Sequence, residues 1–128
     1  MVSRAKLIIL SFALACMVNS VQAKHLYIEQ EYQQKWCSAN NGQMEVVMSD
    51  GSRADCITDK YAIEFDFAPK FQEAIGQSEE YAVQTGKLPG IVLILENPSD
   101  QHYLNRLMPV ADKLGIKVWT MKPEDLRE

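Results

Sequence analysis

The chain is poor in the features that usually announce a function. It has only two histidines, His25 and His102, far apart and without metal-ligand spacing. It has no Cys-x-x-Cys, so zinc-ribbon and dithiol redox motifs are excluded. No Gly-x-Ser-x-Gly elbow and no dinucleotide-binding glycine pattern occurs. Thr85-Gly86-Lys87 lacks the frame of a phosphate-binding P-loop, and Asp50-Gly51-Ser52-Arg53 lacks the spacing of a calcium loop. Basic charge is also scarce. The net charge is −4, whereas a protein that grips nucleic acid through its surface carries a basic footprint. Internal repeats, low-complexity tracts and linkers are absent.

Long apolar runs are missing too. The longest, Leu7 to Val18, falls short of the ~20 residues that span a bilayer. It follows Arg4 and Lys6 and precedes Val21-Gln22-Ala23, a small-residue cleavage pattern. Residues 1–23 therefore read as a cleaved signal peptide and residues 24–128 as the mature domain. A lipoprotein reading centred on Cys16 is disfavoured, because Ala13 stands where a large aliphatic residue belongs. The implied location is periplasmic or secreted, with no membrane anchor after cleavage. Loss of Cys16 leaves Cys37 and Cys56, an even pair that favours a disulfide over two buried thiols in an oxidising compartment.

What remains is one small core. Leu26 to Ala39 reads as a helix that buries Leu26, Tyr32, Trp36 and Cys37 and stops at Asn40-Asn41-Gly42. Strands are expected at 43–48, 52–57 and 61–67, with hairpin turns at Ser49-Asp50-Gly51 and Asp59-Lys60. Pro69 opens a helix running to Thr85, and Gly86 closes it. Gly90 to Leu95 is apolar enough for a strand buried on both faces. A helix capped by Ser99 or Asp100 follows, with Leu104, Leu107, Met108, Ala111 and Leu114 on one stripe. Residues 116–120 supply a last strand. The expected architecture is a single α/β domain, α-β-β-β-α-β-α-β, a mixed sheet flanked by helices on both faces.

The chemistry concentrates in the second hairpin. A two-residue loop at Asp59-Lys60 sets Ile57 opposite Ala62, Cys56 opposite Ile63, and Asp55 opposite Glu64. Opposed side chains share a face at ~5 Å, and Asp66 projects to the same face as Glu64. Like charges so close repel unless a proton or a cation is shared. Hard oxygen donors in an open cluster suit Mg²⁺ or Mn²⁺. On the next helix Lys70, Ala74, Gln77 and Tyr81 form one stripe, beside an apolar face of Phe71, Ile75, Ser78 and Ala82. The stripe would carry an ammonium, an amide and a phenol towards the carboxylates. A solvated acidic hairpin is the competing reading.

This arrangement resembles the PD-(D/E)xK nuclease superfamily. The residues that carry the resemblance are Asp55 on the second strand, Glu64 on the third, and Gln77-Ser78-Glu79-Glu80-Tyr81 on the following helix, similar to the Gln-x-x-x-Tyr motif of RecB-type exonucleases. It covers roughly residues 29–95. The resemblance implies a restriction-endonuclease-like core, phosphodiester hydrolysis, Mg²⁺ or Mn²⁺ as cofactor and nucleic acid as partner. Asp55 and Glu64 would be metal ligands, with Asp66 beside them, and Gln77 and Tyr81 would orient a phosphate or a water. Where the family has a lysine, two positions after Glu64, this chain has Asp66, and Lys70 would take that role from the helix. The family's helical glutamate corresponds to Glu29, Glu31 or Glu45. Loss of the lysine leaves an alternative, a catalytically degenerate nuclease fold acting as a binding or accessory module.

Overall fold

The computed structural model describes residues 24–128, so the signal-peptide reading of 1–23 lies outside the described residues. The element order is α1 (Glu29–Ala39), β1 (Gln43–Val47), β2 (Arg53–Ile57), β3 (Tyr61–Phe67), α2 (Phe71–Thr85), β4 (Leu88–Ile94), α3 (Gln101–Leu114) and β5 (Lys117–Met121). Short 3-10 turns precede α2 and α3 and follow β5. The strands lie in sequence order in one five-stranded sheet. β1–β2 and β2–β3 are antiparallel, whereas β3–β4 and β4–β5 are parallel. The two parallel pairs each need a crossover helix, and α2 and α3 are those helices.

Alternation along β3 sorts the core into two layers. Ile63, Phe65 and Phe67 face α1 and pack with Tyr32, the two bridged cysteines, Val92, Ile94 and Met121. Trp36 and Trp119, with ring centroids 5.0 Å apart, close that side. On the other face Ile91, Leu93 and Leu95 of β4 and its extension meet Phe71 and Ala74 of α2 and Leu107 and Ala111 of α3. β4 is apolar on both faces because it is covered on both.

The bridge between Cys37 and Cys56 joins α1 to β2, as the even cysteine pair implied. It suits an oxidising, non-cytoplasmic setting. Among the described residues no helix is long and apolar enough to cross a membrane.

Several boundaries differ from expectation. Helix α1 begins at Glu29 rather than Leu26, and Leu26 and Ile28 are exposed. Leu26 is instead held by its backbone, whose N–H donates to Glu96. β4 starts two residues early, because Leu88 and Pro89 pair with Tyr61 and Ala62. On α3 only Leu107 and Ala111 of the expected stripe are buried, while Met108 and Leu114 are exposed and Leu104 is half-buried. Pro109 sits inside that helix, on its exposed side, where the missing N–H costs least. His25 is exposed but not without partners. Its ring stacks on Phe67 at 3.6 Å and its Nδ1 lies 2.5 Å from Glu96 Oε1.

The layer facing α1 is packed tightly enough to predict a cost. A methyl group at Gly90 would lie 2.9 Å from the Trp119 ring and 3.1 Å from Ile63 Cγ1. Gly90→Ala is expected to lower unfolding stability by about 1–3 kcal/mol through overpacking. Urea denaturation of both chains measures it, and equal midpoints would contradict this packing.

Candidate functional site

The register of the second hairpin is the expected one as far as it runs: Ile57 pairs with Ala62 and Cys56 with Ile63. There the ladder stops. Asp55 and Glu64, expected as the next opposed pair, are not joined by backbone pairing. The Asp55 side chain takes over, and its Oδ2 accepts the Phe65 backbone N–H at 2.7 Å. β3 continues for four residues, Glu64 to Phe67, paired to β4 alone, so β2 and β3 part in a fork with carboxylates at its base.

The partner strand bends at the same level. β1 and β2 pair at Met44–Cys56 and at Val46–Ala54, but not at Glu45–Asp55 between them. Glu45 has φ 53°, a left-handed conformation rare for a residue with a side chain. Two positions apart in a regular strand, side chains share a face. Here Met44 and Cys56 pack toward α1, whereas Val46 and Ala54 join the cluster around Tyr81 of α2. The distortion at Glu45 and Asp55 turns the hairpin over, in the manner of a bulge that re-aims side chains beside a site.

Four carboxyl groups act on one another around the fork. Glu64 is only 5% exposed, and its Oε2 has no hydrogen-bond partner among the described residues. Burial, then the charge of Asp55, then a hydrogen bond shared with it, push the Glu64 carboxyl well above its ordinary range. Asp55 is also raised, chiefly by burial, although the Phe65 N–H works against this. Asp66 is pushed up to about 7, mainly by burial, with Lys70 pulling the other way and Glu73 and Asp55 adding to the rise. Its Oδ1 accepts the Phe67 N–H at 3.0 Å. Glu29, on the first turn of α1, is also raised to about 7 by burial and by the charges of Asp55 and Asp66.

That placement separates the three glutamates the sequence left open. Glu29 belongs to the cluster, held by Gln33 Nε2 at 3.1 Å. Glu31 instead caps α1 by accepting the Ile28 N–H at 3.0 Å. Glu45 acts on Asp55 through its charge. Nothing in the spacing of residues 29–33 announced that the first glutamate would turn toward the sheet and the second toward its own helix end.

The α2 stripe divides. Lys70 is exposed at the turn entering the helix, near enough for its charge to act on both Asp66 and Glu29. Ala74 and Tyr81 are buried. The Tyr81 phenol is pushed up by burial and then by the charges of Glu64 and Asp55, so it stays protonated and can donate toward them. Gln77 is half-buried and lines a shallow depression with Gln72, Glu73, Gly76 and Glu80, with no hydrogen bond to the carboxylates. Among the described residues no three acidic, histidine or cysteine side chains are already converged as a ligand set. The donor chemistry, hard oxygens around an unpartnered buried carboxylate oxygen, fits a divalent cation such as Mg²⁺ or Mn²⁺.

No family model matches the chain, and no curated protein or solved structure matches it either.

The raised carboxyls make the cluster a source of pH-dependent instability. A carboxyl whose native pKa exceeds its unfolded value stabilises the fold while protonated, and that stability is lost as pH rises through the native value. In chelator, stability is therefore expected to fall between about pH 4 and pH 7, the interval that Glu29 and Asp66 define. Glu64→Gln removes the most deeply buried charge. It should flatten the profile and raise stability at pH 8 by on the order of 1–3 kcal/mol. Urea midpoints across pH test this, and an unchanged slope would reject it.

Proposed function

We propose that the chain is a metal-dependent, nuclease-like hydrolase of phosphodiester bonds, acting outside the cytoplasm. One observation carries the reading. Glu64 is a buried carboxylate with an oxygen that nothing satisfies, placed among Asp55, Asp66 and Glu29. An arrangement this costly persists where it serves a site. Further support comes from the element order over residues 29–95, which is the α-β-β-β-α-β order on which the resemblance to the PD-(D/E)xK superfamily rests.

Asp55 and Glu64 would hold the cation, with Asp66 or Glu29 completing its oxygen set. When bound, the cation supplies positive charge against the phosphate oxygens and lowers the pKa of an attacking water. Lys70, at the rim and already interacting with Asp66 and Glu29, would stabilise negative charge developing on the phosphate. The protonated Tyr81 phenol would keep the inner carboxylates oriented. Gln77 would meet substrate from the outer side of α2. Asp55 has one oxygen committed to the Phe65 N–H, so it is fixed in place before any ligand arrives.

Asp66 favours the second reading, a fold that binds without turnover. It stands where the family has its lysine, and it brings a negative charge instead of a positive one. The two readings separate on hydrolysis of single- and double-stranded DNA and RNA with Mg²⁺ or Mn²⁺. The enzyme reading expects turnover that Asp55→Ala and Glu64→Ala abolish and that Lys70→Ala lowers about 10²-fold. Cation binding without turnover would select the binding module.

A further inference from the structure

We propose that the Cys37–Cys56 bridge is a redox fastener for the carboxylate site, holding Glu29 in place only after the chain reaches an oxidising compartment. The functional meaning of this rests on the phosphodiester reading; the structural claim does not.

Each end of the bridge leads to the site. Cys56 is the neighbour of Asp55 on β2, and Cys37 lies two turns along α1 from Glu29. The bridge thus joins two of the elements that supply the carboxylates, α1 with Glu29 and β2 with Asp55. Besides the bridge, α1 is held by Tyr32 against Phe67 and by Trp36 against Phe65 and Trp119. Its buried residues are Tyr32, Gln33 and Cys37, of which one is polar and one is half of the bridge. The N-terminal approach to α1 is tied down by His25 and Leu26 on Glu96, an exposed attachment. Docking of the helix also brings Glu29 toward the charges of Asp55 and Asp66, which opposes it.

The loop after α1 is built around the sulfurs. Asn41 adopts φ 54°, and a methyl group at Gly42 would lie 2.5 and 2.6 Å from the two Sγ atoms. The backbone therefore closes directly over the bridge. By contrast α2, α3 and the β4 face they cover form a separate apolar layer that includes no part of α1. Asp55, Glu64, Asp66 and Tyr81 all sit on elements other than α1, so the reduced chain would keep these four and lose the hold on the fifth group, Glu29.

Formation of the bridge needs an oxidant of the disulfide class. The Cys37 or Cys56 thiolate attacks a donor disulfide, one donor sulfur leaves as a thiol, and the second cysteine displaces the other from the mixed disulfide. Two protein thiols are oxidised and one donor disulfide is reduced to two thiols. In a reducing cytoplasm the balance runs the other way, which would keep a nucleic-acid hydrolase incomplete before export.

Residue-resolved hydrogen exchange on the oxidised chain, the dithiol-reduced chain and Cys37→Ser/Cys56→Ser tests the fastening. The serine pair removes any effect of the reductant itself. Amides of α1 are expected to exchange roughly 100-fold faster without the bridge, the scale of a loop-closure constraint. Amides of Ile91–Ile94 in β4 should change by less than about tenfold. Unchanged protection in α1 would overturn the proposal, and so would loss of β4 protection in step with α1, since the bridge would then hold the whole fold. A second readout is Mn²⁺ affinity, expected to fall at least about tenfold in the serine pair and to fall similarly in oxidised Glu29→Gln. Equal affinity with and without the bridge would overturn the link to the site. Absence of Mn²⁺ binding in every form would overturn the metal-dependent reading instead, leaving the exchange result to decide the fastening.

Discussion

One hydrogen bond sets the geometry of this molecule's acidic centre: the Asp55 carboxylate takes the Phe65 N–H that β2 would otherwise have left to a backbone carbonyl. A backbone donor buried without a partner is costly, so a strand pair can part only where something else satisfies it. Asp55 does this from the side. β2 then leaves β3 after two residue pairs, and β3 remains anchored by seven pairs to β4. The fork and the placement of Glu64 and Asp66 along its inner strand follow from that substitution. Glu45 with its positive φ shows the same bend propagated to the edge strand.

The fork is expensive in charge. Asp55, Glu64, Asp66 and Glu29 are all raised by burial, and each of Glu64, Asp66 and Glu29 is raised further by its acidic neighbours. A structural role for such a group would call for a paired cation, yet the ion pair found among the described residues lies elsewhere, at His25 and Glu96. Lys70 lowers two of the four without reaching the inner pair. The inner pair, Asp55 and Glu64, is left to share a proton or to accept a positive charge from outside. A proton and a metal ion compete for such carboxylates as pH changes.

Much of the framework was legible in the sequence because it rests on local chemistry. Glycine at positive φ ends α2 and α3 at Gly86 and Gly115, and Asp59-Lys60 fixes the hairpin register through side-chain alternation. The run from Gly90 to Leu95 could only be covered on both faces. What stayed hidden depends on tertiary context. The end of the β2–β3 ladder cannot be read from Asp55, since an aspartate in a strand carries no sign that it will accept a cross-strand N–H. Choosing Glu29 over Glu31 needed the angle at which α1 crosses the sheet. The burial of Ala74 was not legible because α2 serves two apolar clusters, so a residue flanking its apolar face is covered as well.

Asp66 is the residue on which the nuclease reading turns. An acid two positions beyond Glu64 points to the same side of β3 and adds a negative charge where a resemblance to nucleases calls for a positive one. Two features of the fold offset this. The 3-10 turn before α2 brings Lys70 to within electrostatic reach of Asp66, so a positive charge lies four residues on from the acid. The raised carboxyl of Asp66 also leaves it partly neutral near pH 7, which lowers the repulsion it imposes on an approaching phosphate. A chain of net charge −4 would then attract a polyanion chiefly through positive charge held at the fork itself. Binding and chemistry would share one set of residues, and a site that lost its cation would lose its substrate with it.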